Sequence, residues 1–259
     1  MILAEPQPTP ADLRFTLGEI PVRVSVWFWP ATALFGLSLC QAFARGDQRA
    51  LLQYLAIWIA VVFVSILTHE MGHALAYRAF GQRASVVLYH FGGLAIPTPW
   101  GRRGHLRPWQ RLVVSAAGPL AQLALAGGVV CLLRARGHVI PWPLDALHAA
   151  FGSGGDRGFA NSFAAALAVF LLSVNILWPV LNLAPVPPLD GGQIVREGLA
   201  SLGVADAPRI AAVVGLVAGG TVAWWGFQRG EEYLGIMFAM LAVSCFQSLS
   251  DGTSWRRWN

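Results

Sequence analysis

The stretch LLQYLAIWIAVVFVSILTHEMGHALAYRAF, residues 51–80, joins an apolar run directly to a metal-binding motif. The run before the motif is uncharged and long enough to cross a bilayer as a helix. The motif HEMGH at residues 69–73 matches His-Glu-x-x-His, the zinc signature of metallohydrolases. On a helix, His69 and His73 project from one face and can share a metal, with Glu70 beside them. Ionisable residues at membrane depth are costly and usually functional, so the sequence predicts hydrolysis inside a membrane.

The composition is that of an integral membrane protein with short loops. The chain has 259 residues, of which 56% are hydrophobic and only 12% charged, whereas soluble domains have roughly 25% charged residues. All 18 basic residues are arginine, and the net charge is +5. No basic cluster alternates with aromatic stacking residues, so we expect no nucleic-acid partner. The three cysteines lie at unrelated spacings in apolar segments and predict neither a disulfide framework nor a Cys-based zinc site.

The hydropathy pattern predicts an all-α integral membrane protein with about six transmembrane helices. The predicted spans are Val24–Phe43, Leu51–Phe80, Trp109–Leu133, Phe159–Leu183, Ile210–Phe227 and Tyr233–Leu249. Between the second and third spans, Ala84–Pro97 alternates in polarity and contains Gly92-Gly93. This segment predicts a short β-hairpin or a re-entrant segment.

The connections between spans predict one membrane domain with a defined orientation. Twelve of the 18 arginines fall on one side and six on the other, which by the positive-inside rule places both termini in the cytoplasm. The expected organisation is a single domain over residues 1–259. It consists of an N-terminal cytoplasmic segment (1–23), a six-span core (24–250) and a cytoplasmic tail (251–259). Compactness and the arginine-only basic set favour a bacterial inner (cytoplasmic) membrane.

A catalytic zinc site needs three protein ligands and one open position. Asp190 is the best candidate for the third ligand, in NLAPVPPLDGG at residues 182–192, where the predicted fourth span ends. An even number of crossings places it on the same side of the membrane as the His motif. The prolines predict that the helix unwinds here, and Gly191-Gly192 is expected to allow a tight turn. Alternatively, Asp190 could only cap a helix that begins near Gln193.

Together, HEMGH within a span and the segment 182–192 resemble the site-2 proteases, a family of intramembrane zinc metalloproteases. Three weaker matches support the resemblance. They are Gly18–Ser25 at the entry to the first span, Phe91-Gly92-Gly93 in the loop after the HEMGH helix, and Ala117-Gly118-Pro119 as a Gly-Pro turn in the third span. Gln122 departs from the pattern, because many relatives carry Asn after Gly-Pro. No PDZ-like or CBS-like domain fits in the loops, so the chain resembles the minimal, core-only members.

The resemblance implies regulated intramembrane proteolysis with one Zn²⁺ ion. Zinc would acidify a water and polarise the scissile carbonyl, and Glu70 would act as general base. Asn182 and Asn175 would bind substrate backbone or stabilise the oxyanion, although asparagine also bridges helices in membranes. The expected partners are the lipid bilayer and a transmembrane protein substrate that unwinds and pairs with a strand in 84–97. A regulatory membrane partner is not identified by the sequence.

Two other functions remain open from the sequence. A transporter or metal-handling channel could use His69, His73 and Asp190 as a transit site, because transporters also combine broken helices with buried ionisable groups. A catalytically inactive homologue could bind metal at the same residues. Glu70 argues against both, since a transit site needs no general base beside its histidines, and the sequence has no inverted repeat.

Overall fold

The fold is taken from a computed structural model that describes residues 7–90, 92–98, 106–141, 143, 158–159 and 161–250. The predicted tail 251–259, Phe91 of the glycine motif and the first six residues lie outside the described residues.

Seven described helices make up most of the chain. They are α1 (Phe28–Ala44), α2 (Gln48–Ala79), α3 (Pro108–Ala135), α4 (Ser162–Asn182), α5 (Asp190–Ser201), α6 (Ala207–Gln228) and α7 (Glu232–Ser250). Five of them, α2, α3, α4, α6 and α7, are long and apolar enough to cross a membrane. The first predicted span corresponds to α1, a shorter apolar helix of 17 residues. The predicted class, a helical integral membrane protein, is confirmed.

A small sheet accompanies the helices, with strands in the order β1-β2-β3-β4. The strands are β1 (Leu13–Leu17), β2 (Ile20–Val24), β3 (Arg83–Tyr89) and β4 (Gly92–Thr98). The hairpin predicted after the second span is confirmed as the antiparallel pair β3–β4. The strands β1 and β2 are a further finding, because no strand was predicted in the N-terminal segment. β2 pairs in parallel with β3, far along the chain, and local sequence patterns do not reveal such a partner.

The chain divides into two compact units. The first comprises residues 1–103 and 120–179, and the second comprises 104–119 and 180–259. The boundaries fall after Pro119 in α3 and after Pro179 in α4, and both prolines lie inside continuous helices. The Gly-Pro turn expected in the third span is therefore wrong, since α3 runs through it. The expectation of a single membrane domain stays a prediction.

In the first unit, the packing of α1 on α2 fixes the long helix that carries the HEMGH motif. The Trp58 indole nitrogen donates a hydrogen bond to the backbone oxygen of Thr32 over 2.9 Å. Gly36 lies directly beneath the same indole, where a Cβ atom would collide with the ring. The close approach of α1 thus depends on the absence of a side chain at Gly36. The rest of this core is apolar and aromatic, with Tyr54 and Phe170 among its buried members.

In the second unit, a buried charge anchors the short helix α5. Glu197 is only 2% exposed and accepts hydrogen bonds from Arg111 Nε over 2.8 Å and Arg196 Nε over 2.9 Å. Arg111 also donates to the backbone oxygen of Leu106. Because a buried carboxylate is stable only when paired, these contacts tie α5 to the first turn of α3.

Candidate metal centre

The helix α2 carries three buried polar residues of the motif. Its N-terminus is capped by Asp47, whose side chain accepts from the backbone amides of Arg49 and Ala50. The motif lies far from this end, with His69, Glu70 and His73 exposed by only 3%, 5% and 8%. Burying three ionisable side chains in a predominantly apolar helix is costly unless they share partners or a ligand.

The two histidines point their Nε2 atoms toward each other. The Nε2 atoms of His69 and His73 lie 3.1 Å apart, and the rings are nearly perpendicular, with an interplanar angle of 77°. Two nitrogens bound to one tetrahedral zinc at about 2.0–2.1 Å lie roughly 3.3 Å from each other. The observed separation is close to that value, so the pair fits a shared zinc ion.

A third side chain contacts this pair from α3. Gln122 is fully buried, and its Oε1 lies 2.9 Å from Nδ1 of His69. Histidines that bind metals commonly donate their other ring N–H to such an acceptor. In the sequence, Gln122 stands out only as a departure from the family pattern, and no role is predicted for it. A polar residue in a transmembrane span was the available signal, but its partner 53 residues away could not be identified from the sequence.

Glu70 packs against the backbone of β4. A Cβ atom built on Gly93 would lie 2.5 Å from Glu70 Oε1 and closer still to Cγ, so a larger residue here would require the Glu70 side chain or β4 to shift. Gly93 stands opposite Leu88 in the β3–β4 register. The hairpin therefore lies directly on the carboxylate that the motif places beside the two histidines.

Of the two predicted substrate-binding asparagines, Asn175 lies in the first unit and contacts α2. Its Nδ2 donates to Ser65 Oγ over 2.8 Å and to the backbone oxygen of Leu171 over 2.9 Å. Ser65 is one helical turn before His69. Asn175 Oδ1 is buried and has no hydrogen-bond partner within the described ranges. These contacts fit a helix-bridging role, and substrate binding by Asn175 stays a prediction.

Asp190 and Asn182 flank the non-helical segment 183–189 of the second unit. Asn182 is the last residue of α4, and Asp190 is the first helical residue of α5. The N-cap position belongs to Leu189, so Asp190 is not the capping residue.

The tight turn expected at Gly191-Gly192 is wrong, because both glycines lie inside the first turn of α5. A Cβ atom on Gly191 would collide with the backbone oxygen of Leu183, and one on Gly192 with the backbone of Pro187. These glycines permit close packing of α5 on the segment that precedes it.

The fold and these residues define an integral membrane protein with a candidate metal centre in a membrane-crossing helix. The model of Peptidase family M50 matches residues 57–219, more than half of the sequence. The chain therefore belongs to Peptidase family M50, and its predicted resemblance to the site-2 proteases is confirmed.

Named relatives and a solved structure agree with this assignment. "Putative zinc metalloprotease sll0528" from Synechocystis sp. is 29% identical over 189 residues, which cover 70% of this chain and 42% of the relative. "Zinc metalloprotease MJ0392" from Methanocaldococcus jannaschii is 26% identical over 162 residues, which cover 62% of this chain and 40% of the relative. The chain thus spans less than half of the length of these relatives. The solved structure of "Site-2 Protease from Methanocaldococcus jannaschii" aligns with 92% of this chain and with 95% of the chain in that structure. The TM-score of 0.52, at 18% sequence identity, shows that the fold is shared.

Proposed function

We propose that this protein is a zinc metalloendopeptidase that cleaves peptide bonds within or near transmembrane segments of membrane proteins. The observation that carries the proposal is the convergence of the buried His69 and His73 Nε2 atoms, with Glu70 adjacent, inside a membrane-crossing helix. Its membership of a peptidase family supports peptide hydrolysis over other zinc chemistry.

His69, His73 and Asp190 form the proposed ligand set for one zinc ion. Each offers one ligand atom, a ring nitrogen or a carboxylate oxygen, and zinc accepts both types of donor. Three protein ligands leave the fourth position of a tetrahedral site open, as catalytic zinc requires. Asp190 is supported by its motif and by its place at the start of α5, where Leu189 occupies the capping position.

Each step of the proposed reaction is assigned to a residue of the chain. When bound, zinc supplies Lewis-acid chemistry that polarises the scissile carbonyl and acidifies water. Glu70 accepts a proton from the attacking water on its carboxylate and returns it to the leaving amine nitrogen. The close approach of Gly93 limits the space available to the Glu70 side chain. In this proposal Asn182 binds substrate backbone or stabilises the oxyanion. Asn175 would bind substrate backbone through its Oδ1, because its Nδ2 already donates to Ser65 and Leu171.

The substrate class follows from the position of the hairpin. β4 is one of the two edge strands of the described sheet, and an edge strand offers unpaired backbone groups to an extended peptide. Because Gly93 of β4 contacts Glu70, a transmembrane segment that unwinds and pairs along β4 would lie beside the general base. The proposed substrates are therefore transmembrane proteins, and the process is regulated intramembrane proteolysis.

The proposed location is a bacterial inner membrane, with both termini and the site toward the cytoplasm. Five helices that are long and apolar enough to cross a membrane, together with the family, support an integral membrane protein. The twelve-to-six distribution of arginines supports the orientation. A path for water from the cytoplasm is then short, because Arg78, near the end of α2, is about 7.5 Å along the helix from His73.

The test compares wild-type protein with Glu70→Gln, purified in detergent. Zinc content is measured by atomic absorption, and cleavage is measured on a panel of tagged single-span membrane proteins. We expect one zinc per chain in both, and a loss of cleavage by a factor of about 10²–10⁴ in Glu70→Gln, the usual contribution of a general base. Glu231→Gln is the matched control, because Glu231 is exposed between α6 and α7.

Two results would contradict the proposal. Cleavage by Glu70→Gln at the wild-type rate would refute the mechanism, and full zinc occupancy in Asp190→Ala would refute the ligand assignment. A metal transit site predicts a different pattern, in which Glu70→Gln still moves zinc across liposomes and no substrate is cleaved by wild type. Membrane proteomes of cells with wild type or Glu70→Gln would identify the natural substrates as single-span proteins stabilised by the variant.

A further inference from the structure

The contact between Gln122 and His69 determines which ring nitrogen of the histidine carries its proton. A neutral imidazole has one N–H donor and one acceptor nitrogen, and its tautomer is set by the hydrogen bonds that its two nitrogens make. Gln122 Oε1, which only accepts, lies 2.9 Å from His69 Nδ1. This contact favours the proton on Nδ1 and leaves the lone pair on Nε2.

That lone pair faces the other histidine. His69 Nε2 and His73 Nε2 lie 3.1 Å apart, and both rings are buried. If the Gln122 amide were rotated by 180°, its NH₂ group would donate to Nδ1 and the proton would move to Nε2. The proton would then occupy the space between the two rings, where the metal is expected. The orientation of one amide thus decides whether His69 is ready to bind metal.

The burial of Gln122 is not explained by helix packing. The residue is fully buried in α3, and its Nε2 has no hydrogen-bond partner within the described ranges. An apolar side chain of the same length would fill the space without leaving an unsatisfied donor. The oxygen of the amide, which contacts His69, therefore accounts for a polar side chain at this position.

We propose that Gln122 is a positioning residue that holds His69 in the Nδ1-protonated tautomer and so prepares its Nε2 for the metal. This inference rests on the proposed function, because it assigns His69 as a zinc ligand. Gln122 acts through the histidine and is not itself a catalytic residue.

The first test measures the tautomer in protein freed of metal. Histidine labelled with ¹⁵N reports which ring nitrogen carries the proton, and the His69 signals are assigned by comparison with a His69→Asn protein. We expect wild type to show Nδ1–H at His69 and Gln122→Met to show a mixture of tautomers. An unchanged His69 tautomer in Gln122→Met would overturn the inference, whether or not the protein is a protease.

The second test measures zinc affinity by competition with a chromophoric chelator. Loss of the outer hydrogen bond typically weakens metal binding by 10–100-fold, so we expect that increase in Kd for Gln122→Met. Gln122→Glu keeps an acceptor oxygen in a side chain of the same length and should restore affinity. It also serves as the second variant if the methionine protein fails to fold. Gln53→Met, at an exposed position of α2, is the matched control and should bind as wild type does.

The outcomes separate this inference from the proposed function. Wild-type zinc affinity in a folded Gln122→Met protein, or an affinity in Gln122→Glu as low as that of the methionine variant, would overturn the role of Gln122 while leaving the protease proposal intact. Weakened zinc binding in a chain that cleaves no substrate would support Gln122 and refute the protease instead.

Discussion

Gly93→Ala is predicted to displace the general base without removing the metal. The added Cβ would lie 2.5 Å from Glu70 Oε1, whereas ordinary van der Waals contact begins at 3.4 Å. The carboxylate and β4 must therefore separate by about 1 Å, a displacement that can cost on the order of 10²-fold in rate. The histidines are unaffected, so zinc binding should remain.

The assay compares kcat for cleavage of a tagged single-span substrate with zinc content measured on the same preparation. We expect kcat to fall about 100-fold in Gly93→Ala, with one zinc retained per chain. Gly128→Ala is the matched control, since nothing lies within 4 Å of a Cβ at that position of α3. Its activity should equal that of wild type.

The result that refutes this reasoning is a folded Gly93→Ala protein with wild-type kcat. Glu70 would then tolerate displacement, and its packing on the hairpin would have no part in catalysis. Loss of zinc in Gly93→Ala would also contradict the argument, because the steric conflict would have reached the histidines. Thermal unfolding of both glycine variants in the same detergent shows whether the fold is intact.

Two further predictions concern stability. Glu197→Gln should lower the free energy of unfolding by about 2–3 kcal/mol, measured by denaturant titration in detergent. This is less than the roughly 3–5 kcal/mol for breaking a fully buried pair, because Arg111 remains partly exposed. Hydrogen bonds from Thr9, followed by the Arg23 guanidinium, hold the pKa of Asp12 well below its usual value of 3.8. The ionised Asp12 carboxylate stabilises the fold above the pKa that it has in the unfolded chain, and this stabilisation is lost as the pH falls. The Tm difference between wild type and Asp12→Asn should therefore be constant above about pH 5 and shrink below about pH 4.

The Glu197 prediction has a control, and the Asp12 prediction has an outcome that would contradict it. Glu231→Gln removes an exposed glutamate and should change stability little. An equal loss of unfolding free energy in Glu231→Gln would mean that the ion pairs of Glu197 do not stabilise the fold more than an exposed glutamate does. For Asp12, a Tm difference that widens as the pH falls would contradict the sign of the argument.

The features that could be predicted from the sequence are local ones. Long uncharged runs identify membrane-crossing helices, because crossing a bilayer requires a fixed length of apolar chain. HEMGH indicates a shared ligand because residues four apart lie on one face of a helix. The hairpin β3–β4 was also predictable, since its strands are neighbours in sequence. Asp190 was selected by residue type and motif, and its role as a ligand stays a prediction.

The features that could not be predicted depend on partners far apart in the chain. The role of a small residue is set by what lies opposite it, so Gly191 and Gly192 were assigned to a turn although they permit close packing of α5. The strands β1 and β2 were not predicted, because short strands give a weak sequence pattern and β2 pairs with a strand far along the chain.

The sequence by itself determined the class of protein and the apolar helix that carries the motif, and it predicted the chemistry of His69, Glu70 and His73. Only the tertiary structure decided that Gln122 Oε1 lies beside His69 Nδ1 and that Gly93 lies against Glu70. The physical reason is that helical and strand periodicity fixes which way a side chain points within its own element. Which group meets it there depends on how distant segments pack together.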